Sequence, residues 1–212
     1  LNDGVITDEV MVNEYYRKML IECRSMERLV GDLFILSKMQ NPDFKIEKEP
    51  VSIRQVFGDV LRSAREIARK KNITITQKLS VDDEEPCMIL GDYERLRQMF
   101  MIIIDNAVKF SYESGEIIIS IEKRITPKKQ VKIYVSIQDF GVGISKEALP
   151  YIFEKFYKSK LKQNQKGTGL GLMIAKQIAL RHGCDIMVES EIEQGTKFSF
   201  EFEECVSMDE YE

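Results

Sequence analysis

From Asp8 to Met39 the apolar residues Val12, Tyr16, Met19, Cys23, Met26, Val30 and Leu33 recur in alternating steps of four and three. This period predicts a helix over residues 8–39, about 48 Å long at about 1.5 Å per residue, whose heptad seam needs partner helices. Leu20, Leu29 and Leu36 widen the stripe, so the pattern suits a bundle of more than two helices. Asn41-Pro42 ends the helix, and the polar run through Pro50 reads as a linker with a boundary near residue 45.

Beyond the linker the periods alternate. Ser52 followed by Gln55 is a helix-start signature, and Ile53, Val56, Val60, Ala64 and Ile67 give a helical face up to Lys71. Ile73, Ile75 and Leu79 then alternate with Thr74, Thr76 and Lys78 as a strand, and Cys87 to Leu90 is a second short one. After the break at Gly91-Asp92, a helix from Tyr93 carries Leu96, Met99, Phe100, Ile103 and Ala107 on its core side. Two clean alternations, Ile117 to Ile121 and Val131 to Ile137, flank a turn at Thr126-Pro127-Lys128-Lys129 and predict an antiparallel hairpin. A helix from about Leu170 to His182 stops at Gly183, and Asp185 to Ser190 with Phe198 to Phe202 forms a closing hairpin around Gln194-Gly195. These elements predict an α+β fold, a two-layer α/β sandwich in which helices cover one face of a mixed sheet.

Composition narrows the function classes. At 212 residues and 43% hydrophobic content the chain can hold one sizeable domain plus an appendage. A net charge of −4, with acids and bases intermixed, argues against a nucleic-acid partner. The longest apolar run, Met99 to Ile104, is too short to cross a bilayer, so no membrane contact is expected of these residues. Cys23, Cys87, Cys184 and Cys205 show no metal or redox spacing and read as thiols of a reducing compartment. Opening on Leu1, within what reads as the approach to an element, suggests a piece of a longer protein.

Three stretches carry chemistry. Lys166-Gly167-Thr168-Gly169-Leu170-Gly171-Leu172 places alternate glycines before a helix, where bare N–H groups and the helix dipole favour an anion. Asn106 and Lys109 lie three apart on one helix face, away from Ile103 and Ala107, and an amide oxygen beside an ammonium suits a Mg²⁺-bridged polyphosphate. Asp139 ends a β-branched strand before Phe140-Gly141-Val142-Gly143-Ile144. A carboxylate there can accept from the exocyclic amine of adenine; guanine would leave it facing a carbonyl, a penalty of roughly 1–3 kcal/mol. Asp139-Phe140-Gly141 is not a eukaryotic protein-kinase signature, since the accompanying lysine strand and His-Arg-Asp loop are missing from the sequence, and the glycine spacing does not fit a dinucleotide fold.

In this order the stretches resemble the nucleotide-binding domain of the GHKL superfamily, and within it the sensor histidine kinases, over roughly Val51 to Glu203. Asp105 to Phe110 is similar to the asparagine box, Asp139 to Gly143 to the first glycine box, Phe153 to Lys158 to the phenylalanine box, and Lys166 to Leu172 to the second glycine box. Gly195-Thr196-Lys197-Phe198 resembles the turn of the closing hairpin.

The resemblance implies a Bergerat-type ATP site with Mg²⁺ on Asn106, phosphate on Lys109, adenine on Asp139 and Lys158 near the γ-phosphate. Phe110, Gly141, Gly143, Ile144, Gly167, Thr168, Gly169, Leu170, Gly171, Leu172 and Thr196 complete the implied lining and lid. The lid is basic, with Lys146, Lys155, Lys158, Lys160, Lys162 and Lys166. Residues 1–44 would be the second helix of a dimerisation and phosphotransfer hairpin plus linker, residues 45–204 the ATP-binding catalytic domain, and residues 205–212 an acidic tail. The implied activity is transfer of the γ-phosphoryl group to a histidine upstream of this chain and then to a response regulator. A homodimer would form through helix 8–39, with these residues cytoplasmic and a membrane anchor elsewhere in the full-length protein. Two positions depart from the family. Ile102 stands where a polar residue is usual, and the only histidine, His182, falls at a helix end rather than before the heptad helix. The alternative is a nucleotide-responsive dimerisation module without kinase activity; a GHKL ATPase would need a glutamate where Ile102 stands.

Overall fold

The computed structural model describes residues 9–41, 43–79, 87–127, 129–159 and 167–205. Helix α1 spans Glu9–Gln40, and most of its apolar stripe is exposed, including Tyr16, Met19, Met26, Val30 and Leu33. Its last turns differ: Leu36 and Met39 are buried in the core of the following domain. The segment expected to be linker through Pro50 is only partly so. Strand β1 (Glu49–Ser52) pairs antiparallel with β3 (Met88–Gly91), a two-stranded ribbon that buries Val51 opposite Ile89. Helix α2 (Ile53–Arg69) starts at Ser52, whose hydroxyl accepts the Gln55 N–H, and α3 (Tyr93–Phe110) starts at Asp92, whose carboxylate accepts the Arg95 N–H at 3.0 Å.

The main sheet has five strands in the order β2 (Thr74–Leu79), β4 (Glu116–Ile125), β5 (Val131–Asp139), β7 (Gly195–Glu203), β6 (Ile186–Glu191). It is mixed, because β2 runs parallel to β4 while the other pairs are antiparallel. The expected β4–β5 and β6–β7 hairpins form. Helices α2, α3 and α4 (Gly171–Arg181) lie over one face. That face is apolar on alternate positions, with Ile117, Ile119 and Ile121 on β4, Ile133, Val135 and Ile137 on β5, and Phe198, Phe200 and Phe202 on β7, all buried. Phe100 of α3 is the hub of this layer. Its ring lies 4.4 Å from Phe57 and meets Phe200 edge-on at 5.3 Å.

Helix α3 is held at both ends. Lys71, just past α2, donates to the carbonyls of Val108 (3.0 Å), Lys109 (2.7 Å) and Ser111 (3.2 Å), satisfying acceptors that the end of α3 leaves open. At the other end His182 accepts the Asp92 N–H at 3.0 Å through Nε2, while Nδ1 donates to the Ile178 carbonyl at 2.7 Å. This assigns the single histidine a neutral, structural role between α4 and α3, and burial pushes its pKa down. Among the described residues no helix is long and apolar enough to cross a membrane.

Candidate nucleotide site

Two loops converge on one strip of α3. At its C-terminal end Gly141 lies so close to the Phe110 carbonyl that an added Cβ would stand 2.1 Å from the oxygen, and the Val142 N–H donates to the same carbonyl at 3.1 Å. Only glycine permits that approach. Two turns earlier, about 12 Å along the helix, the side chain of Ile102 lies beside Gly171 at the start of α4. Asn106 and Lys109 sit on α3 between these points, both half-buried.

Asp139 closes the first end. It is the last residue of β5, is 4% exposed, and accepts the Gly141 N–H at 3.0 Å through Oδ1. Burial pushes its carboxyl up to about 6, against hydrogen bonds from the Gly141 and Thr196 backbones that favour the anion. Thr196 is buried opposite Asp139 on β7, and its hydroxyl meets that of Ser190 at 2.8 Å. Ser190 also accepts the Ile144 N–H at 2.8 Å, which ties the end of the first glycine segment to β6. Gly143 backs onto the Glu191 carbonyl. The site therefore has a rigid end built by three strands.

The other end is built by loops. Gly169 has φ +75° and packs on the Phe156 backbone, whose N–H donates to the Gly169 carbonyl at 2.9 Å. A side chain at residue 169 would be strained both by that φ and by that contact. This links the phenylalanine segment to the glycine-rich one. Gly167, Thr168, Gly169 and Leu170 lead into α4, whose first N–H groups, on Gly171, Leu172 and Met173, precede the first intrahelical bond from Ile174 to Leu170. Burial pushes the Lys109 ammonium down; Asp105 opposes this, while the charges of Lys158 and Arg28 add to the depression. Lys158 and Arg28 of α1 thus lie within electrostatic reach of Lys109. Thr168 donates to the Asp32 carboxylate of α1 at 2.8 Å and accepts the Leu170 N–H at 3.3 Å.

Of the other lid lysines, Lys155 donates to Gln40 at 3.2 Å and Lys146 is exposed, whereas Lys160, Lys162 and Lys166 lie outside the described residues. A groove of about 700 Å³ follows the outer side of α3 past Asp92, Arg95, Gln98, Ile102 and Asp105. It adjoins the strip, but Asn106, Asp139 and Gly169 do not line it. Lys71 and Asp32 were not legible in the sequence, because each acts across a tertiary contact that no local motif announces.

The residues fit a bound nucleotide: a buried carboxylate acceptor at one end, a helix N-terminus at the other, backbone cradles that a Cβ would fill, and Lys109 on α3 between them. Residues 91–205 match the family described as histidine kinase-, DNA gyrase B- and HSP90-like ATPases. The chain is 30% identical over 185 residues to the sensor histidine kinase YkoH of Bacillus subtilis, covering 86% of this chain and 38% of that protein. It is 31% identical over 192 residues to the adaptive-response sensory kinase SasA of Rippkaea orientalis, covering 91% and 47%. It thus spans less than half the length of these relatives. Among solved structures, full-length ShkA in complex with AMPPNP superposes with a TM-score of 0.74 at 27% identity, covering 98% of this chain and 42% of that one. By fold, by site and by these matches the chain belongs to the histidine kinase-, DNA gyrase B- and HSP90-like ATPase family, in its sensor histidine kinase branch.

Proposed function

We propose that these residues are the ATP-binding catalytic region of a two-component sensor histidine kinase. The observation that carries this reading is the convergence of the Asp139 turn on Phe110 and of the glycine-rich loop on Ile102, with Lys109 between them on α3. In this reading Asp139 accepts from the exocyclic amine of adenine and so rejects guanine. Phe110, Gly141, Gly143, Ile144 and Thr196 shape the base end. Lys109 and Lys158 hold phosphate oxygens, and Gly167, Thr168, Gly169, Leu170, Gly171 and Leu172 present backbone N–H groups to them. Asn106 would hold Mg²⁺ through its amide oxygen, and the metal when bound supplies charge neutralisation between phosphates.

His182 has both ring nitrogens engaged, which supports an acceptor histidine in another segment. Transfer onward goes to a response-regulator aspartate. The exposed stripe of α1 (Tyr16, Met19, Met26, Val30, Leu33) supports homodimerisation through this helix. Residues 1–44 then serve as bundle helix plus linker, 45–204 as catalytic domain and 205–212 as an acidic tail, in a cytoplasmic part of a membrane-anchored protein.

Calorimetric titration with ATP and GTP, each with and without Mg²⁺, tests the proposal. Tighter binding of ATP, strengthened by Mg²⁺, is expected, and the chain alone should not incorporate γ-phosphate. Failure to bind ATP would instead favour a nucleotide-responsive dimerisation module that has lost its site, a reading to which the apolar Ile102 beside Gly171 lends support.

A further inference from the structure

Arg28 lies one helical turn before Asp32 on α1 and shares its side of the helix. Asp32 is fixed to the glycine-rich loop through Thr168 at 2.8 Å. Further along, Leu36 and Met39 are buried, and Arg181 of α4 donates to the carbonyls of Met39 (2.6 Å), Asn41 (2.7 Å) and Phe44 (2.7 Å), so this end of α1 has a set rotation and height. The heptad period read from the sequence assigned this stretch to helix–helix packing alone. Arg28 itself is exposed, and among the described residues it forms no hydrogen bond or ion pair.

The direction of the site decides what Arg28 faces. With the base acceptor Asp139 at the Phe110 end of the strip, a nucleotide laid along α3 carries its phosphates toward Ile102, Gly171 and Thr168. Asp32 touches that end and not the other. We propose that Arg28 is a phosphate-binding residue supplied by α1, which completes with Lys109 and Lys158 a three-cation cradle for the terminal phosphate of a nucleoside triphosphate. After burial, Lys158 and Arg28 both depress the Lys109 pKa, which is the mutual repulsion expected of neighbouring cations. Asp105, on the same helix as Lys109, acts in the opposite direction and more strongly than either cation alone. A guanidinium suits the task, because its planar fork can take two phosphate oxygens at once. A triphosphate would then bind α1 and the lid together, whereas a diphosphate would leave Arg28 unused.

This assignment rests on the nucleotide reading above, and its test separates the two. The 212-residue chain is titrated with Mg·AMPPNP and Mg·ADP, unaltered and as Arg28→Ala, Arg28→Lys and Arg62→Ala. Arg62 is an exposed cation of α2 that pairs with Asp59 at 3.3 Å and serves as the remote control. Arg28→Ala should lose about tenfold or more in AMPPNP affinity, as for one charge-assisted contact, with ADP affinity nearly unchanged. Arg28→Lys should recover part of the loss, and Arg62→Ala should change neither affinity. If the unaltered chain binds both nucleotides and Arg28→Ala weakens them equally or not at all, the Arg28 assignment is overturned and the nucleotide reading stands. If the unaltered chain binds neither, both are overturned.

Discussion

Replacing Asp139 by Asn should stabilise the nucleotide-free protein, and the gain should grow with pH. The carboxyl is 4% exposed and pushed up to about 6 by burial, against 3.8 for a free aspartate. A group whose folded pKa is raised adds stability at low pH and loses it as pH rises through the folded value. Asp139 is therefore harmless to the fold below about pH 4 and costs most above its folded pKa. At about 1.4 kcal/mol per pKa unit the interval from 3.8 to about 6 corresponds to about 3 kcal/mol. Asn is nearly isosteric and its oxygen can still accept the Gly141 N–H. Its amide cannot accept the Thr196 N–H as well, which removes a constant amount at every pH. The decisive quantity is therefore the change with pH in the difference between the two proteins, which cancels that constant and every other titrating group. Urea unfolding of both proteins from pH 4 to pH 8 measures it. The variant's relative stability should rise by about 2–3 kcal/mol over that range, most of it between pH 4 and 6. A difference that stays flat, or falls, would refute the claim that burial makes this carboxylate costly. The same variant should bind ATP more weakly, because the acceptor facing the base has lost its charge. Local instability at a site that serves a ligand is the expected trade.

Asn106→Ala should weaken ATP binding in the presence of Mg²⁺ while leaving Mg²⁺-free binding unchanged; equal affinities in both conditions would remove the metal role from Asn106. Phe100→Ala empties the centre of the aromatic layer between Phe57, Phe200 and Phe202, and should cost about 3–5 kcal/mol in urea unfolding. Arg181→Ala frees three carbonyls at the end of α1 and should cost about 2 kcal/mol. Hydrogen exchange should then quicken over residues 36–46 with α3 unchanged, and an unchanged pattern would mean that Leu36 and Met39 alone hold the helix.

The sequence made most of the domain legible because its elements obey single, strong periods. The sheet face alternates Ile, Val and Phe without interruption, and α3 shows its core side as Leu96, Met99, Phe100, Ile103 and Ala107, all of them buried. Strand β3 was read from Cys87 to Leu90, but its partner β1 was hidden for a physical reason. Glu49 and Pro50 are exposed and only Val51 turns inward, so a four-residue strand carries one apolar signal and looks like linker. The parallel pairing of β2 with β4 was also out of reach, since it depends on where α3 returns the chain. Three of the site's boxes could be read as glycines and polar residues at fixed spacing. Their mutual approach could not, because it is made by backbone against backbone, Gly141 on Phe110 and Gly169 on Phe156.

The two ends of the strip are built differently, and the difference fits what each must do. At the Asp139 end the partners are strand residues fixed by ladder bonds, Thr196 opposite Asp139 and Ser190 beside it, so in the proposed reading the acceptor could not retreat from a base it does not match. At the other end the partners are Thr168, Phe156 and Asp32, from two loops and a helix that belongs mostly outside the domain. Among the described residues few ladder bonds hold that end, and local opening there is correspondingly cheap. Under the proposed function, recognition of the base would stay constant if contacts between the phosphate end and α1 changed. Among the described residues the hydrogen bond from Thr168 to Asp32 couples the glycine-rich loop to the helix whose remaining apolar stripe faces outward. Movement of that helix in an assembly would reach the phosphate end of the site first and the base end last.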